Sequence, residues 1–134
     1  MSANVELVRA IYADWERGDF SSADWAHPGI EYVRPDGPTP GRSTGVAAMA
    51  RSWGETLSAW DKLSAEAEEC RDLDAERVLV LTRNRGRGKT SGLELGDMET
   101  RGANVFHIRE GKVTKLVIYF DRDLALADLE RGSV

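Results

Sequence analysis

The stretch that decides the fold runs from residue 98 to residue 122, METRGANVFHIREGKVTKLVIYFDR. It predicts two long antiparallel strands joined by a tight turn at Glu110-Gly111-Lys112. Because successive side chains of a strand point to opposite faces, Asn104, Phe106 and Ile108 share one face of the first strand. The opposite face carries Ala103, Val105 and His107.

The second strand of this hairpin is also apolar on both faces. One face carries Thr114, Leu116, Ile118 and Phe120, and the other carries Val113, Lys115, Val117, Tyr119 and Asp121. Since burying large apolar side chains is favourable, each face needs a cover. The hairpin therefore predicts a sheet with a filled concave side and a buried outer side.

Composition predicts one globular domain over residues 1–134. Hydrophobic residues make up 41% of the chain and charged residues 31%, a balance typical of folded domains. The net charge of −5 disfavours nonspecific binding to nucleic acid or an anionic membrane, and no apolar run approaches the roughly 18 residues of a membrane span. Cys70 is the single cysteine and the N-terminal MSANVELVRA lacks a secretory apolar core, so we expect a cytoplasmic protein without an internal disulfide.

Two long helices are predicted in the first half of the chain. The first is capped by Asn4 and ends at Gly18, and the second runs from about Ser43 to Trp60. Each has one apolar stripe at three- and four-residue steps. The stripes consist of Val5, Val8, Ile11, Tyr12 and Trp15, and of Val46, Met49, Ala50, Trp53, Leu57 and Trp60. A short helix at 20–26 is predicted between them.

The other elements complete an α+β pattern. Strands are predicted at 29–34, 62–72 and 77–85, with a Pro/Gly loop at 35–41 and a glycine-rich bulge or hairpin at 86–92. A short closing helix carries Leu124, Leu126 and Leu129. This order predicts a curved, mainly antiparallel sheet with the long helices packed over its concave face. The mouth between these helices and the sheet is the expected pocket.

Four segments resemble the SnoaL-like family of the nuclear-transport-factor-2-like superfamily. They are ERGDF at 16–20, PDGPTPGR at 35–42, RNRGRGKTSG at 83–92 and FHIREGKVTKLVIYFDRDLAL at 106–126. The superfamily has a cone-shaped, cystatin-like α+β fold and includes ketosteroid isomerase, polyketide cyclases, limonene epoxide hydrolase and scytalone dehydratase. The resemblance implies this fold, a homodimer and an apolar pocket at the mouth of the cone, but no particular activity.

The resemblance also shows which catalytic groups of the superfamily this chain lacks. The isomerase general-base position falls at or beside Tyr32, and its hydrogen-bond-donating aspartate falls at about Asn104. The cyclase acid/base aspartate falls at Ile118. Arg34 matches the arginine of the epoxide-hydrolase arrangement, but no carboxylate pair accompanies it.

Three polar residues are the main candidates for catalysis or ligand contact. Tyr32, Arg34 and Asn104 lie on predicted inner faces, where a phenol, a guanidinium and an amide can orient a carbonyl or phenolate oxygen. The alternative is that Tyr32 is a core aromatic and Arg34 extends to the rim. Asp36 and Asp121 are weaker catalytic candidates, because Asp-Gly is ordinary turn chemistry and Asp121 is well placed to cap the closing helix.

Apolar side chains are expected to form the rest of the ligand site. The predicted pocket wall consists of Trp15, Trp53, Phe106, Ile118 and Phe120. Tryptophans on helix stripes more often belong to the core, which is the alternative for Trp15 and Trp53.

Motifs for cofactors and metals are weak. Gly88-Lys89-Thr90 imitates the end of a phosphate-binding loop, but Arg83 stands where that motif needs a glycine. His27 and His107 fall in different elements and have no metal-ligand neighbour at a suitable spacing. We therefore predict no metal and no cofactor.

These observations leave two functional hypotheses near parity. One is a protein that binds a small apolar or aromatic molecule and catalyses proton transfer, such as aldol-type cyclisation, isomerisation or dehydration. The other is a noncatalytic ligand-binding or interaction module, which the missing carboxylates favour.

The outer face of the hairpin predicts that the protein binds a second copy of itself. Val105, Val113, Val117 and Tyr119 are expected to form an exposed apolar patch. Because soluble monomers rarely leave such a patch exposed, the sequence predicts a symmetric homodimer through this face.

Overall fold

The computed structural model describes residues 2–19, 22–36, 40–90, 93–132 and 134, without the side chains of 56–64, 86–90 and 93–99. Its helices are α1 (Ala3–Glu16), α2 (Val46–Ala59) and α3 (Arg122–Glu130). Its strands are β1 (Ala26–Arg34), β2 (Gly41–Thr44), β3 (Trp60–Asp72), β4 (Arg77–Thr90), β5 (Leu93–Arg109) and β6 (Lys112–Tyr119). The predicted α+β class is confirmed.

All six strands form one curved sheet in the order β2-β1-β6-β5-β4-β3. Every neighbouring pair is antiparallel except β1 and β6, which are parallel. At the turn of the deciding hairpin, Glu110 and Gly111 have φ angles of 53° and 76°. Positive φ at both central residues is the geometry of a tight two-residue hairpin turn, so the sequence-based prediction of this turn is confirmed.

The inner face of the sheet carries the main core beneath α1 and α2. Val8 and Ile11 of α1 pack there with Ile30, Phe106 and Leu116 of the strands, and all five are buried. The predicted stripe of the first helix is thus the buried face of α1. Its cap is Ser2 rather than Asn4, because the Ser2 hydroxyl accepts a hydrogen bond from the Val5 N–H at 3.0 Å.

The outer face of the sheet is covered by α3. Val105, Val117 and Tyr119 form a second core with Ala125 of α3, and none of the four is more than 3% exposed. Val113 belongs instead to the main core on the inner face of the sheet, because the β5–β6 register shifts between His107 and Ile108. The exposed outer patch expected from the sequence is therefore wrong for the single chain, while the homodimer itself stays a prediction.

Two short elements near the start of the chain differ from the sequence-based prediction. The predicted helix at 20–26 is not formed in its described part, because 22–25 is a loop with a turn and β1 already begins at Ala26. The predicted start of the second long helix is strand β2, and α2 begins only at Val46. A bulge or hairpin is predicted at 86–92, and the structure shows instead that β4 continues to Thr90, with a register shift against β5 between Arg87 and Lys89. Residues 91–92 lie outside the described residues.

A membrane span was not expected from the sequence. Within the part of the chain that the structure describes, no helix combines the length and apolar character needed to cross a membrane.

Candidate functional site

A cavity of about 80 Å³ lies between α1, α2 and the inner face of the sheet. Among the described residues, four aromatic side chains line it, namely Trp15, Trp25, Tyr32 and Trp53. The other described lining residues are Met49, Ala50, Leu116 and Ile118, together with Ser22 and Ala23. We call this cavity the tryptophan pocket. It lies where the sequence predicted a pocket.

The aromatic rings of the tryptophan pocket hold one another in place. The ring centroids of Trp15 and Trp53 are 5.7 Å apart and tilted by 31°, whereas Trp25 meets Trp15 edge to face at 5.9 Å. Tyr32 meets Trp53 edge to face at 6.2 Å. Such contacts stabilise the ring arrangement by more than the burial of apolar area alone. The walls of the pocket are therefore prearranged for a flat apolar ligand.

The described lining of the tryptophan pocket contains no aspartate, glutamate, histidine, lysine, arginine or cysteine. Its titratable side chain is Tyr32, which is 1% exposed. Burial raises the pKa of the Tyr32 phenol well above its ordinary value, and the charge of Arg34 offsets only part of that rise. The phenol is therefore neutral at physiological pH.

Arg34 packs against the Tyr32 ring and does not itself line the tryptophan pocket. Its guanidinium carbon is 5.4 Å from the centroid of the Tyr32 ring, a cation–π distance, and the residue is 9% exposed. Gly41 lies opposite Arg34 in the β1–β2 ladder, and a Cβ at Gly41 would be 3.3 Å from the Arg34 Nη2 atom. The missing side chain at Gly41 thus leaves room for the guanidinium.

Asn104 lies deeper in the cone than the sequence suggested. Its side-chain amide donates a hydrogen bond to the Tyr12 hydroxyl of α1, and both residues are buried. Burial raises the pKa of Tyr12 far above its ordinary value. Phe106 is fully buried beside them, with its ring centroid 5.9 Å from that of Tyr12 and 6.4 Å from that of Trp15. Neither Asn104 nor Phe106 lines the tryptophan pocket.

The two candidate aspartates, Asp36 and Asp121, both accept hydrogen bonds from backbone N–H groups. The Asp36 carboxylate accepts hydrogen bonds from the N–H groups of Phe120 at 2.8 Å and Asp121 at 2.9 Å. The Asp121 side chain accepts the Asp123 N–H at 3.0 Å and caps α3. Neither aspartate lines the tryptophan pocket, and Phe120 is a half-buried residue packed against the inner core.

The structure thus brings four of the eight predicted ligand residues together, namely Trp15, Tyr32, Trp53 and Ile118. Trp25, which also lines the pocket, is not among the predicted ligand residues, because the sequence places it on the short helix at 20–26. Tyr12, which bonds Asn104 outside this lining, is predicted only as part of the apolar stripe of the first helix. The stripe shows that Tyr12 faces the core, but only the packing of α1 on β5 pairs it with Asn104.

A second, more polar groove of about 220 Å³ lies between α1 and β3. Arg9, Tyr12, Glu16, Glu68, Glu69 and Cys70 contribute to its lining. Burial raises the pKa of the Cys70 thiol, so the reactive thiolate is disfavoured. Within the described residues, no group of three such side chains is placed so that it could hold a metal ion, in this groove or elsewhere.

The SnoaL-like domain family matches residues 8–116. The chain belongs to this family. Solved structures of similar fold include TerC co-crystallised with polyporic acid, which is 22% identical and has a TM-score of 0.75, with 97% of this chain and 99% of that chain covered.

Two bacterial proteins extend this similarity. An NTF2-like protein from Burkholderia thailandensis is 22% identical with a TM-score of 0.78, over 96% of this chain and 98% of that chain. A protein from Jannaschia sp. CCS1 described as a SnoaL-like polyketide cyclase is 16% identical with a TM-score of 0.72, over 93% of this chain and 89% of that chain. At these identities the likeness establishes the fold, and no curated protein matches the sequence.

Proposed function

We propose that this SnoaL-like protein binds a small apolar or aromatic molecule in the tryptophan pocket. The observation that carries the proposal is the prearranged set of Trp15, Trp25, Tyr32 and Trp53 around a cavity between the helices and the sheet. Burying a ligand's apolar surface is worth about 25 cal/mol per Å². Aromatic contacts of suitable geometry add about 0.5–1.5 kcal/mol each.

The size of the cavity limits the ligand. An apolar cavity of about 150 Å³ is known to hold benzene, whereas the tryptophan pocket measures about 80 Å³. Because this is about half the volume that holds benzene, we expect only part of one ring or a small aliphatic group to enter the pocket, with the rest of the ligand remaining outside it. The co-crystal of the similar TerC with polyporic acid is consistent with a small-molecule site in this fold.

A matched pair of variants on α2 tests the proposal. Ala47 and Ala50 are both exposed residues of α2, but Ala50 lines the tryptophan pocket and Ala47 does not. We expect toluene and acetophenone to bind the wild type and Ala47→Trp with similar affinity in isothermal titration calorimetry. Ala50→Trp should weaken both by at least about tenfold, because the new ring occupies the cavity. Equal binding to both variants would refute the site.

Proton-transfer catalysis is the second candidate function, as aldol-type cyclisation, isomerisation or dehydration. The observation that favours it is the hydrogen-bonded, buried pair of Tyr12 and Asn104. A neutral phenol and an amide in a water-poor interior can stabilise the negative charge of an enolate. Neither residue lines the tryptophan pocket, and the described lining holds no general base, so we place ligand binding first.

Deuterium exchange separates the two candidates. If the protein catalyses enolisation, it should accelerate exchange at the methyl group of acetophenone in heavy water, and Tyr12→Phe should reduce that acceleration. If exchange occurs at the buffer rate while acetophenone binds, the protein acts on this ketone as a binding module only. The exchange is measured by proton NMR.

Two further expectations belong to the same proposal. We propose that the protein forms a homodimer, as the family resemblance implies, and that it resides in the cytoplasm, as its single cysteine suggests. Neither nucleic acid nor a membrane is a proposed partner, because the net charge of −5 opposes both.

A further inference from the structure

We propose that the Tyr32 hydroxyl donates a hydrogen bond to a carbonyl oxygen of the ligand, and that Arg34 strengthens this bond by acting through the Tyr32 ring. The proposal rests on ligand binding in the tryptophan pocket. It narrows the ligand class to small carbonyl compounds, such as aryl ketones. Tyr32 is then a ligand-binding residue and Arg34 a positioning residue.

The hydrogen-bonding state of Tyr32 is the first observation. The residue is 1% exposed and lines the cavity, yet none of the described residues hydrogen-bonds its hydroxyl. Some described polar atoms are fully enclosed by protein and form no hydrogen bond, but the Tyr32 oxygen is not one of them. It therefore keeps some accessible surface. Because buried tyrosine hydroxyls normally have a partner, a ligand acceptor in the cavity would supply the one that the described residues do not.

The position of Arg34 is the second observation. Its guanidinium carbon lies 5.4 Å from the centroid of the Tyr32 ring. A cation over an aromatic face attracts electron density and stabilises the phenolate form. The Arg34 charge accordingly lowers the pKa of Tyr32, although burial raises it more. The hydroxyl therefore stays protonated, and it is a stronger donor than it would be at the same site without the arginine.

The charges around the pocket favour a neutral acceptor. An ammonium ligand would approach the positive charge of Arg34, and the described lining offers no carboxylate to pair with the ammonium group. Arg34 would attract a carboxylate ligand, but Arg34 is not part of the described lining, so the carboxylate would lose its water with only a neutral phenol to bond it. A carbonyl oxygen carries no net charge, and one phenol donor satisfies it.

Infrared spectroscopy of bound acetophenone, labelled with ¹³C at its carbonyl group, tests the proposal. In the wild type, the carbonyl stretch should lie at lower wavenumber than in an apolar solvent, because the oxygen accepts a hydrogen bond. Tyr32→Phe should return the stretch to its apolar-solvent position. Arg34→Met should return it part of the way, whereas Arg34→Lys should keep most of the shift because it retains the cation.

An isosteric pair of ligands gives an independent readout. α-Methylstyrene has a CH₂ group where acetophenone has its oxygen, so it cannot accept the bond. Calorimetry should show acetophenone binding the wild type roughly three- to tenfold more tightly than α-methylstyrene, the ratio expected for one net hydrogen bond. The two ligands should bind Tyr32→Phe with similar affinity.

Each outcome decides a separate part of the proposal. An unchanged stretch in Tyr32→Phe would overturn the role of Tyr32 and leave ligand binding intact. An unchanged stretch in Arg34→Met would overturn the role of Arg34. If Arg34→Met fails to fold, Gly41→Ala takes its place, because the added Cβ crowds the Nη2 atom at 3.3 Å and should also reduce the shift. If neither ligand binds the wild type, both the inference and the proposed function are wrong.

Discussion

At the scale of single residues, the hydrogen bond between Asn104 and Tyr12 joins the sheet to α1 in the interior of the cone. Asn104→Leu should therefore lower the free energy of unfolding by about 1–3 kcal/mol, because the Tyr12 hydroxyl loses its buried partner. Urea denaturation measures the change. A loss below about 0.5 kcal/mol would show that the pair does not stabilise the fold.

The double variant Tyr12→Phe/Asn104→Leu is the control for this prediction. It removes both partners, so no polar group is left unpaired, and it should be more stable than the sum of the two single losses implies. Simple additivity would contradict a direct interaction. Asn104→Leu should also leave acetophenone binding nearly unchanged, since Asn104 is not part of the pocket lining.

Asp36 is predicted to act on stability rather than on chemistry. It accepts two backbone hydrogen bonds, from Phe120 and Asp121, and so connects the chain after β1 to the end of β6. Asp36→Ala should cost about 1–3 kcal/mol in urea denaturation. Glu130→Ala, at an exposed position of α3, is the control and should change stability by less than about 0.5 kcal/mol. Loss of ligand binding without loss of stability would contradict this role.

Local sequence signals explain what was predictable for individual residues. The capping role of Asp121 follows from its place between a strand and a helix, and the structure confirms it. The partner of Tyr12 depends on how α1 packs across β5, which periodicity within one helix does not specify. The carboxylate of Asp36 likewise bonds residues more than 80 positions away in the chain.

At the scale of elements, the β5–β6 hairpin was predictable because its turn residues and its alternation agree. The register shift beside Ile108 was not, and it moves Val113 from the predicted outer face to the inner core. Strand β2 was missed because its four residues, Gly41–Thr44, are polar or small and mostly exposed. A short edge strand of this kind has no hydrophobic period to detect.

His107 on β5 predicts a pH dependence of stability. Burial lowers the pKa of its imidazole below 6.5, and the charges of Lys115 and Arg77 lower it further, while Asp74 and Glu76 oppose this shift weakly. The unfolded chain therefore binds a proton at higher pH than the folded chain. Stability should be full above about pH 6.5 and should fall as the pH drops toward the folded-state pKa.

The control for this pH dependence is His107→Gln, which cannot gain a charge in this range. Urea denaturation of both proteins at pH 7.5 and pH 5.5 isolates the histidine contribution, because most carboxylates stay ionised at both values. The wild type should lose more stability between the two conditions than the variant. Equal losses would show that His107 is not responsible.

Because α3 covers the outer face of the sheet, a charge placed on that face should destabilise the fold. Val117 is 3% exposed in the core that this helix covers. Val117→Glu should cost about 3 kcal/mol or more, independently of protein concentration, because it buries an unpaired carboxylate. Leu126→Glu, on α3 at a position 38% exposed, should have little effect. A stable, folded Val117→Glu monomer would contradict the burial of Val117 beneath α3.

At the scale of the whole molecule, the resemblance predicted the cone and the homodimer together, and the structure confirms the cone. The homodimer is checked by sedimentation equilibrium at micromolar concentration, which should give about twice the chain mass of 14.8 kDa. A mass near 14.8 kDa would refute it. Because α3 already covers the outer core, the dimer cannot be argued from an uncovered apolar patch.

Titration of the protein with acetophenone, monitored by proton–nitrogen NMR, tests most directly whether the tryptophan pocket is a ligand site. The indole N–H signals of Trp15, Trp25 and Trp53 report on three of its walls. All three should shift in a saturable manner with one common dissociation constant, and Ala50→Trp should abolish these shifts. Saturable binding that leaves the three indole signals unmoved, or no binding at all, would contradict the account.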